Sequence, residues 1–146
     1  NGSSIAFLAE FAGMRALFLG DAHADVVAAS IERLLAERGQ QRLAVDAVKV
    51  AHHGSKANIN DALLALIDSP NFLISTNGDI FHHPDKEAVE RIIARSVRQP
   101  PTLHFNYRVP STKPWEDPKL QKKLGYRTVF NESEPGPRKI RFEAGA

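Results

Sequence analysis

The sequence predicts an α/β (α+β) fold, in which a β-sheet carries packed helices. Two apolar runs near the start, residues 4–11 and 14–19, are joined by Ala12-Gly13, which predicts a β-hairpin. Beyond them, segments with apolar residues at helical spacing alternate with short apolar runs that are typical of strands. A hairpin followed by alternating helices and strands indicates one sheet with helices packed on it.

The individual elements follow from apolar spacing and from residues that start or stop helices. Gly39 is a suitable end for a helix, Ser69-Pro70 ends a second one, and Pro84 is suited to the first position of a third. After the hairpin we therefore expect a helix over 22–38, a strand over 45–51, a helix over 60–67, a strand over 71–78, a helix over 84–97, a strand over 102–107, a short helix over 117–125, and edge strands over 127–130 and 139–142.

Length and composition limit the classes of protein to consider. A chain of 146 residues, 42% of them hydrophobic, suits one core, so we expect 1–146 to form a single partial domain, with 98–146 as its terminal extension. The chain starts at Asn1 and its one methionine, Met14, lies within an expected strand, which indicates a piece of a longer protein. Cysteine is absent, which excludes disulfides and thiolate metal sites and fits a reducing compartment. With no long apolar run and no secretory pattern at the start, we expect a cytoplasmic chain without membrane contact.

Carboxylate and imidazole side chains follow three expected strands. Asp21 ends the second strand, His52 and His53 end the strand over 45–51, and His82-His83 follow the strand over 71–78. In α/β folds, ligands gather at the carboxyl ends of strands, so these groups are expected to converge. Imidazole and carboxylate suit zinc, manganese or iron, and a bound metal lowers the pKa of water.

Each of these features also has a structural explanation. Asp21 alone is typical of a turn or a helix cap, a His-His pair is often structural, and His83-Pro84 fits the start of a helix. His82 is assigned to this structural class, and so is His104, which sits between apolar residues of an expected strand. Ser55 and Lys56 are placed to contact an anionic oxygen, beside a glycine that allows a sharp turn.

Three segments in order, "NGSSIAFLAEFAGMRALFLGDA", "VDAVKVAHHGSK" and "FHHP", resemble the carboxyl-terminal half of metallo-β-lactamase-fold hydrolases, in particular the ComEC-type competence group. The resemblance covers about residues 1–97. It implies half of an αββα sandwich, a mixed sheet with helices packed on one face, and a centre of two Zn²⁺, with Mn²⁺ as the alternative.

The same resemblance implies roles for individual residues. Asp21 matches the carboxylate that bridges the two metals, and one histidine of "HHGS" matches the last metal ligand. His53 is favoured as that ligand, with His52 facing substrate or supporting it, although one sequence leaves their order open. His83 matches a histidine that contacts substrate or orients a ligand. The implied reaction is attack of metal-bound hydroxide on an ester, with a phosphodiester favoured, while His52, Lys56 and His83 steady the substrate anion.

The sequence departs from this family at one decisive point. The H-x-H-x-D-H motif, which supplies most of the metal ligands, does not occur in it. The expectation is therefore a fragment that binds metal weakly, or is metal-free, and is inactive by itself. Its expected partner is the missing amino-terminal half of the domain, and self-association through the same surface is the alternative.

A second hypothesis is a non-catalytic interaction or nucleic-acid-binding domain with the same fold. Residues 91–127 contain 9 basic and 2 acidic side chains, interleaved with Phe105, Tyr107, Trp115 and Tyr126. Basic and aromatic side chains together can bind single-stranded nucleic acid. Aromatic residues at strand positions are more typical of a core, and salt-dependent oligonucleotide binding would distinguish the two hypotheses.

Overall fold

The structure is a computed structural model that describes residues 3–130, so the strand expected over 139–142 lies outside the described residues. Its strands are β1 (Phe7–Phe11), β2 (Met14–Phe18), β3 (Leu43–Ala44), β4 (Ala47–Lys49), β5 (Ile67–Asp68), β6 (Asn71–Ile74), β7 (Thr102–Phe105) and β8 (Arg127–Phe130). Its α-helices are α1 (Ala24–Arg38), α2 (Asp61–Ala65), α3 (Lys86–Arg95) and α4 (Pro118–Leu124), and 3₁₀ turns span Ala51–Gly54 and Lys113–Glu116.

Six of the strands form one mixed sheet, in the order β1-β2-β4-β6-β7-β8. The pair β1 and β2 is antiparallel across the turn Ala12-Gly13, and each of the other neighbours is parallel. Both turn residues have positive φ, at 49° and 80°, as a two-residue hairpin with right-handed twist requires. β3 and β5 form a separate parallel pair. The expected α/β fold with a mixed sheet and helices is confirmed.

The two faces of the large sheet differ in burial. One face carries a row of neighbouring residues that are almost completely buried in the same core as the apolar sides of α1 and α3: Leu17, Val48, Phe72 and Leu103. The other face carries a parallel row that is partly open: Phe18, Lys49, Leu73, His104 and Val129. At its edge Phe18 stacks on Phe7, which is half exposed, with ring centroids 4.8 Å apart. This second face is called the open face below.

Several element boundaries differ from the sequence-based expectation. α1 ends as expected, at Gly39 with φ of 63°. α3 begins at Lys86 and not at Pro84, and the residue before the helix, Asp85, uses its carboxylate to accept a hydrogen bond from the backbone N–H of Lys56. The strand expected over 71–78 ends at Ile74, and the residues that follow form a loop. The loop between Ile74 and Lys86 supplies much of the wall of the candidate site.

The part of the chain after residue 97 belongs to the same sheet in the region that the structure describes. β7 and β8 extend it in parallel, and Phe105 stacks on Phe130. Trp115 and Tyr126 are buried next to them, and the Tyr126 hydroxyl donates to the Trp115 carbonyl oxygen over 3.1 Å. Among the described helices, none has the length and apolar character needed to cross a bilayer.

Candidate functional site

The candidate site lies where β2, β4 and β6 end. These strands are neighbours and parallel, so the loops that follow them meet at one edge of the sheet. They enclose a cavity of about 510 Å³. Its lining comprises Asp21, His52, His53, the loop 75–81, His83, Asn106 and Tyr107. Four of the five candidate site residues named from the sequence are thus brought together.

Asp21 is held by the turn that follows β2. Its backbone N–H donates to Ser4 Oγ over 2.7 Å. The preceding Gly20 has φ of 53°, and a Cβ atom there would lie 2.6 Å from Ser4 Oγ and 2.8 Å from the carbonyl oxygen of Ile5. The chain can pass this close only because residue 20 lacks a side chain. Ser4, Ile5 and the "GDA" segment therefore act together to present Asp21 at the cavity.

The two histidines lie in a strained turn after β4. His52 and His53 have φ of 42° and 56°, and Gly54 follows with φ of 90°. Residues other than glycine rarely adopt this left-handed backbone conformation, which costs about 1–3 kcal/mol for each such residue. Such strain is typical of functional sites, where the surrounding structure compensates for it. Here it places both imidazoles on the cavity wall.

Both imidazoles use the same ring nitrogen to contact a carbonyl-type oxygen. His52 Nδ1 lies 3.1 Å from Asn58 Oδ1, and His53 Nδ1 donates to the backbone carbonyl of Ser75. A backbone or amide oxygen at Nδ1 places the proton there, so the neutral ring carries its lone pair on Nε2. Metal-ligating histidines are commonly oriented by a bond of this kind.

His83 lies next to this pair. Its ring centroid is 5.5 Å from that of His52, its side chain is 12% exposed, and its Nδ1 lies 3.5 Å from Asp85 Oδ1. The ring also stacks on Phe81, with centroids 5.9 Å apart. His83 is therefore placed to contact a ligand in the cavity.

The segment that carries His83 is locked to the histidine turn. The Asp85 N–H donates to the Gly54 carbonyl over 2.9 Å, and the Lys56 N–H donates to Asp85 Oδ2 over 2.8 Å. A Cβ atom at Gly54 would lie 2.6 Å from Pro84 Cβ, so only glycine fits there. The relative positions of His52, His53 and His83 are thus set by packing as well as by hydrogen bonds.

Lys56 is not brought to the cavity. Its ammonium lies 3.2 Å from Glu87 Oε1, on the outside of α3, and the side chain is 56% exposed. The pKa of the Glu87 carboxyl is lowered, mainly by a backbone hydrogen bond of Glu87 and to a smaller extent by the Lys56 ammonium. From this position the Lys56 ammonium does not line the cavity, where it was expected to contact an anionic oxygen.

A different lysine lies near Asp21. Lys49, on the open face, is partly buried and donates from Nζ to the Val50 carbonyl over 3.1 Å. Burial lowers the pKa of its ammonium, and the Asp21 carboxylate opposes that change. The carboxylate expected to bind metal thus has a partly buried cation as its electrostatic neighbour.

Several lining residues were not identified from the sequence. The loop 75–81 was expected to begin as a strand, but it turns back through Asn77, Gly78 and Asp79, a polar run that is typical of loops. The Thr76 N–H donates to Asn106 Oδ1 over 2.8 Å, which ties this loop to the end of β7. His82 Nδ1 lies 3.1 Å from the Gly78 carbonyl, a contact within this loop.

The donor set has the right chemistry for a metal but is incomplete in the described residues. Within residues 3–130, no group of three or more His, Asp and Glu side chains is arranged as a set of metal ligands. A structural or catalytic zinc site needs at least three protein ligands. Asp21, His52 and His53 fit as contributors to a metal centre and do not form a complete one.

The aromatic residues of the basic segment are mostly part of the core. Phe105, Trp115 and Tyr126 are each less than 5% exposed, while Tyr107 is 37% exposed and lines the cavity. Arg108 pairs with Glu116 at 2.7 Å. Buried rings cannot stack on nucleobases, so three of the four aromatic residues that suggested nucleic-acid binding do not provide a stacking surface, and Tyr107 is the exception. His104, also expected to be structural, is buried and bonds through Nε2 to Asn71 Oδ1 at 2.9 Å.

Comparison with known proteins yields no match, whether among protein families, curated proteins or solved structures. The resemblance to metallo-β-lactamase-fold hydrolases therefore depends on the sequence segments that suggested it.

Proposed function

We propose that this chain contributes part of the active site of a metal-dependent hydrolase of the metallo-β-lactamase type. The observation that carries the proposal is the meeting of Asp21, His52, His53 and His83 around one cavity, after three neighbouring strands. The strained turn and the two oriented imidazoles support it, because a purely structural loop needs neither.

Each residue has a separate task in this proposal. Asp21 supplies a carboxylate able to bridge two cations, and His53 and His52 supply Nε2 lone pairs as ligands. When bound, Zn²⁺ or Mn²⁺ would supply a Lewis acid and a hydroxide at neutral pH. His83 contacts an anionic oxygen of the substrate, which is an ester and by preference a phosphodiester. Lys56 has no task in the proposal, because it pairs with Glu87 outside the cavity.

The proposal requires further ligands besides those of residues 3–130, because the described donors are too few. We propose that a second αβ half of the domain supplies them and packs on the open face of the sheet. Phe7, Phe11 and Phe18 are 51%, 85% and 36% exposed there, which is the apolar surface that such packing would cover. By itself, the described part would bind metal weakly and would not turn over.

Zinc affinity, measured by competition with a chromophoric chelator, tests the proposal. His53→Ala and Asp21→Asn should each weaken Zn²⁺ binding by about 10-fold or more, since each removes one ligand. The matched control is His23→Ala, because His23 is an exposed histidine beside α1 that does not line the cavity.

Equal weakening by His23→Ala and His53→Ala would mean non-specific binding to surface histidines and would contradict the proposal. A second test measures phosphodiester hydrolysis in a protein that combines this chain with an H-x-H-x-D-H half. Loss of turnover on Asp21→Asn is expected, and full retention would exclude Asp21 as a ligand.

A further inference from the structure

We propose that Asn58 is a positioning residue of this site, which fixes the tautomer of His52 and ties its ring to the turn that carries Asp21. The metal-binding consequence rests on the proposed function, whereas the tautomer assignment does not. No feature of the sequence singled out Asn58, which looks like one more polar residue of a loop.

The contacts of Asn58 connect the ends of two strands. The side chain is 1% exposed, and its amide nitrogen donates to the carbonyl oxygens of Asp21 over 3.1 Å and Ala22 over 2.9 Å. Its amide oxygen lies 3.1 Å from His52 Nδ1. One side chain therefore touches the turn after β2 and the histidine after β4.

These contacts determine which way the amide faces. Two carbonyl oxygens can only accept hydrogen bonds, so the Asn58 nitrogen must point toward them. The amide oxygen is then left facing His52, and because it can only accept, His52 Nδ1 must carry the proton. The neutral His52 ring consequently holds its lone pair on Nε2, the form in which imidazole binds a metal.

A buried asparagine is costly unless its polar atoms are satisfied, and here they are satisfied by the two segments that carry the candidate ligands. Asn60, two residues later, provides a contrast. Its Oδ1 accepts from the Leu63 N–H over 2.9 Å at the start of α2, and its Nδ2 donates to Asp25 Oδ1 over 2.8 Å. Asn60 stabilises local structure without touching a histidine, so it serves as the matched control.

The test is ¹⁵N-¹H NMR of the imidazole nitrogens at a pH about two units above the ordinary histidine pKa of about 6.5. In the unmodified chain, His52 should be protonated on Nδ1. In Asn58→Ala, a substantial population protonated on Nε2 should appear, whereas Asn60→Ala should leave His52 unchanged. His53, whose Nδ1 faces the Ser75 carbonyl, is an internal reference in every variant.

A His52 ring protonated on Nε2 in the unmodified chain would overturn the proposal, even if Asn58→Ala failed to fold. So would an unchanged tautomer in a folded Asn58→Ala. Zinc affinity provides the second readout: Asn58→Ala should bind Zn²⁺ about 10-fold to 100-fold more weakly, while Asn60→Ala stays within about twofold. The expected tautomers together with equal weakening of Zn²⁺ binding by His23→Ala and His53→Ala would contradict the proposed function and would support the role of Asn58 in orienting His52.

Discussion

The backbone N–H of His52 donates to the carbonyl oxygen of Gly20 over 2.9 Å, and this bond joins the two turns that carry the candidate ligands. The turn after β2 presents Asp21 and the turn after β4 presents the histidines. Because the bond is between backbone atoms, it depends on the shape of both turns and not on any side chain. The turn at Gly20 also passes so close to Ser4 and Ile5 that a Cβ atom on residue 20 would lie within 2.8 Å of both.

Gly20→Ala should destabilise the protein by roughly 2–5 kcal/mol, because the new Cβ would clash with Ser4 and Ile5 and residue 20 would keep a left-handed φ. Gly39→Ala is the matched control: its φ is 63°, close to the 53° of Gly20, and a Cβ there meets no atom within 4 Å. It should cost about 1–2 kcal/mol. Urea unfolding followed by the fluorescence of Trp115 measures both, and equal losses would show that the close approach at Gly20 contributes nothing.

Lys56→Met should leave Zn²⁺ affinity within about twofold of the unmodified chain, because the Lys56 ammonium pairs with Glu87 and does not line the cavity. Arg91→Met is a suitable comparison, since Arg91 is a second cation of the same region, and it donates to the carbonyl oxygens of Lys56 and Ile59. Competition with a chromophoric chelator measures the Zn²⁺ affinity of both variants. A loss of about 10-fold or more in Lys56→Met alone would restore the anion-binding role that the sequence suggested.

Tyr126 should make the stability of the fold decline at high pH. Burial, aided by the Asp117 carboxylate, raises the pKa of its phenol to about 12 from an ordinary value of 10.0. The folded protein therefore favours the neutral phenol, and this contribution is fully present below about pH 10 and is lost as the pH rises toward 12.

Tyr126→Phe should remove that part of the decline, and at neutral pH it should cost about 1 kcal/mol because the Trp115 carbonyl loses its hydrogen bond. Urea unfolding at a series of pH values measures both effects. Tyr107→Phe, the same change at the other tyrosine of the sequence, should leave the decline in place. An identical pH profile in the Tyr126→Phe variant would show that the phenol ionises equally in the folded and unfolded chains.

The order of most elements and the convergence of the strand-end side chains were predictable, because both depend on local periodicity and on the shared edge of parallel strands. The short strands β3 and β5 were missed, and Ile67 of β5 was expected to end a helix. Asp21, His52, His53 and His83 were expected together for that reason, and they line one cavity. The direction of Lys56 was not predictable, since the loop is turned by a contact with Asp85, 29 residues away.

The role of Asn58 and the path of the loop 75–81 were also not predictable, because both depend on contacts with residues far away in the sequence. Asn58 is typical of a turn in sequence, and its partners are 6 to 37 residues away. The strand that ends at Ile74 was expected to continue to residue 78, yet the loop 75–81 is held by Asn106, which follows β7. Side chains that act across the sheet leave no periodic pattern in the sequence.

The separation in sequence of the contacts around the cavity has a consequence for the order of folding. β1 and β2 can pair at once across their two-residue turn, whereas the bond from His52 to Gly20 closes a long loop that contains α1. Loop closure of this kind is entropically slow, and it needs parallel strand pairing first. The cavity should therefore form late, and local opening should expose it before the sheet unfolds. The geometry of the candidate site would then be acquired after most of the stability of the fold is already in place.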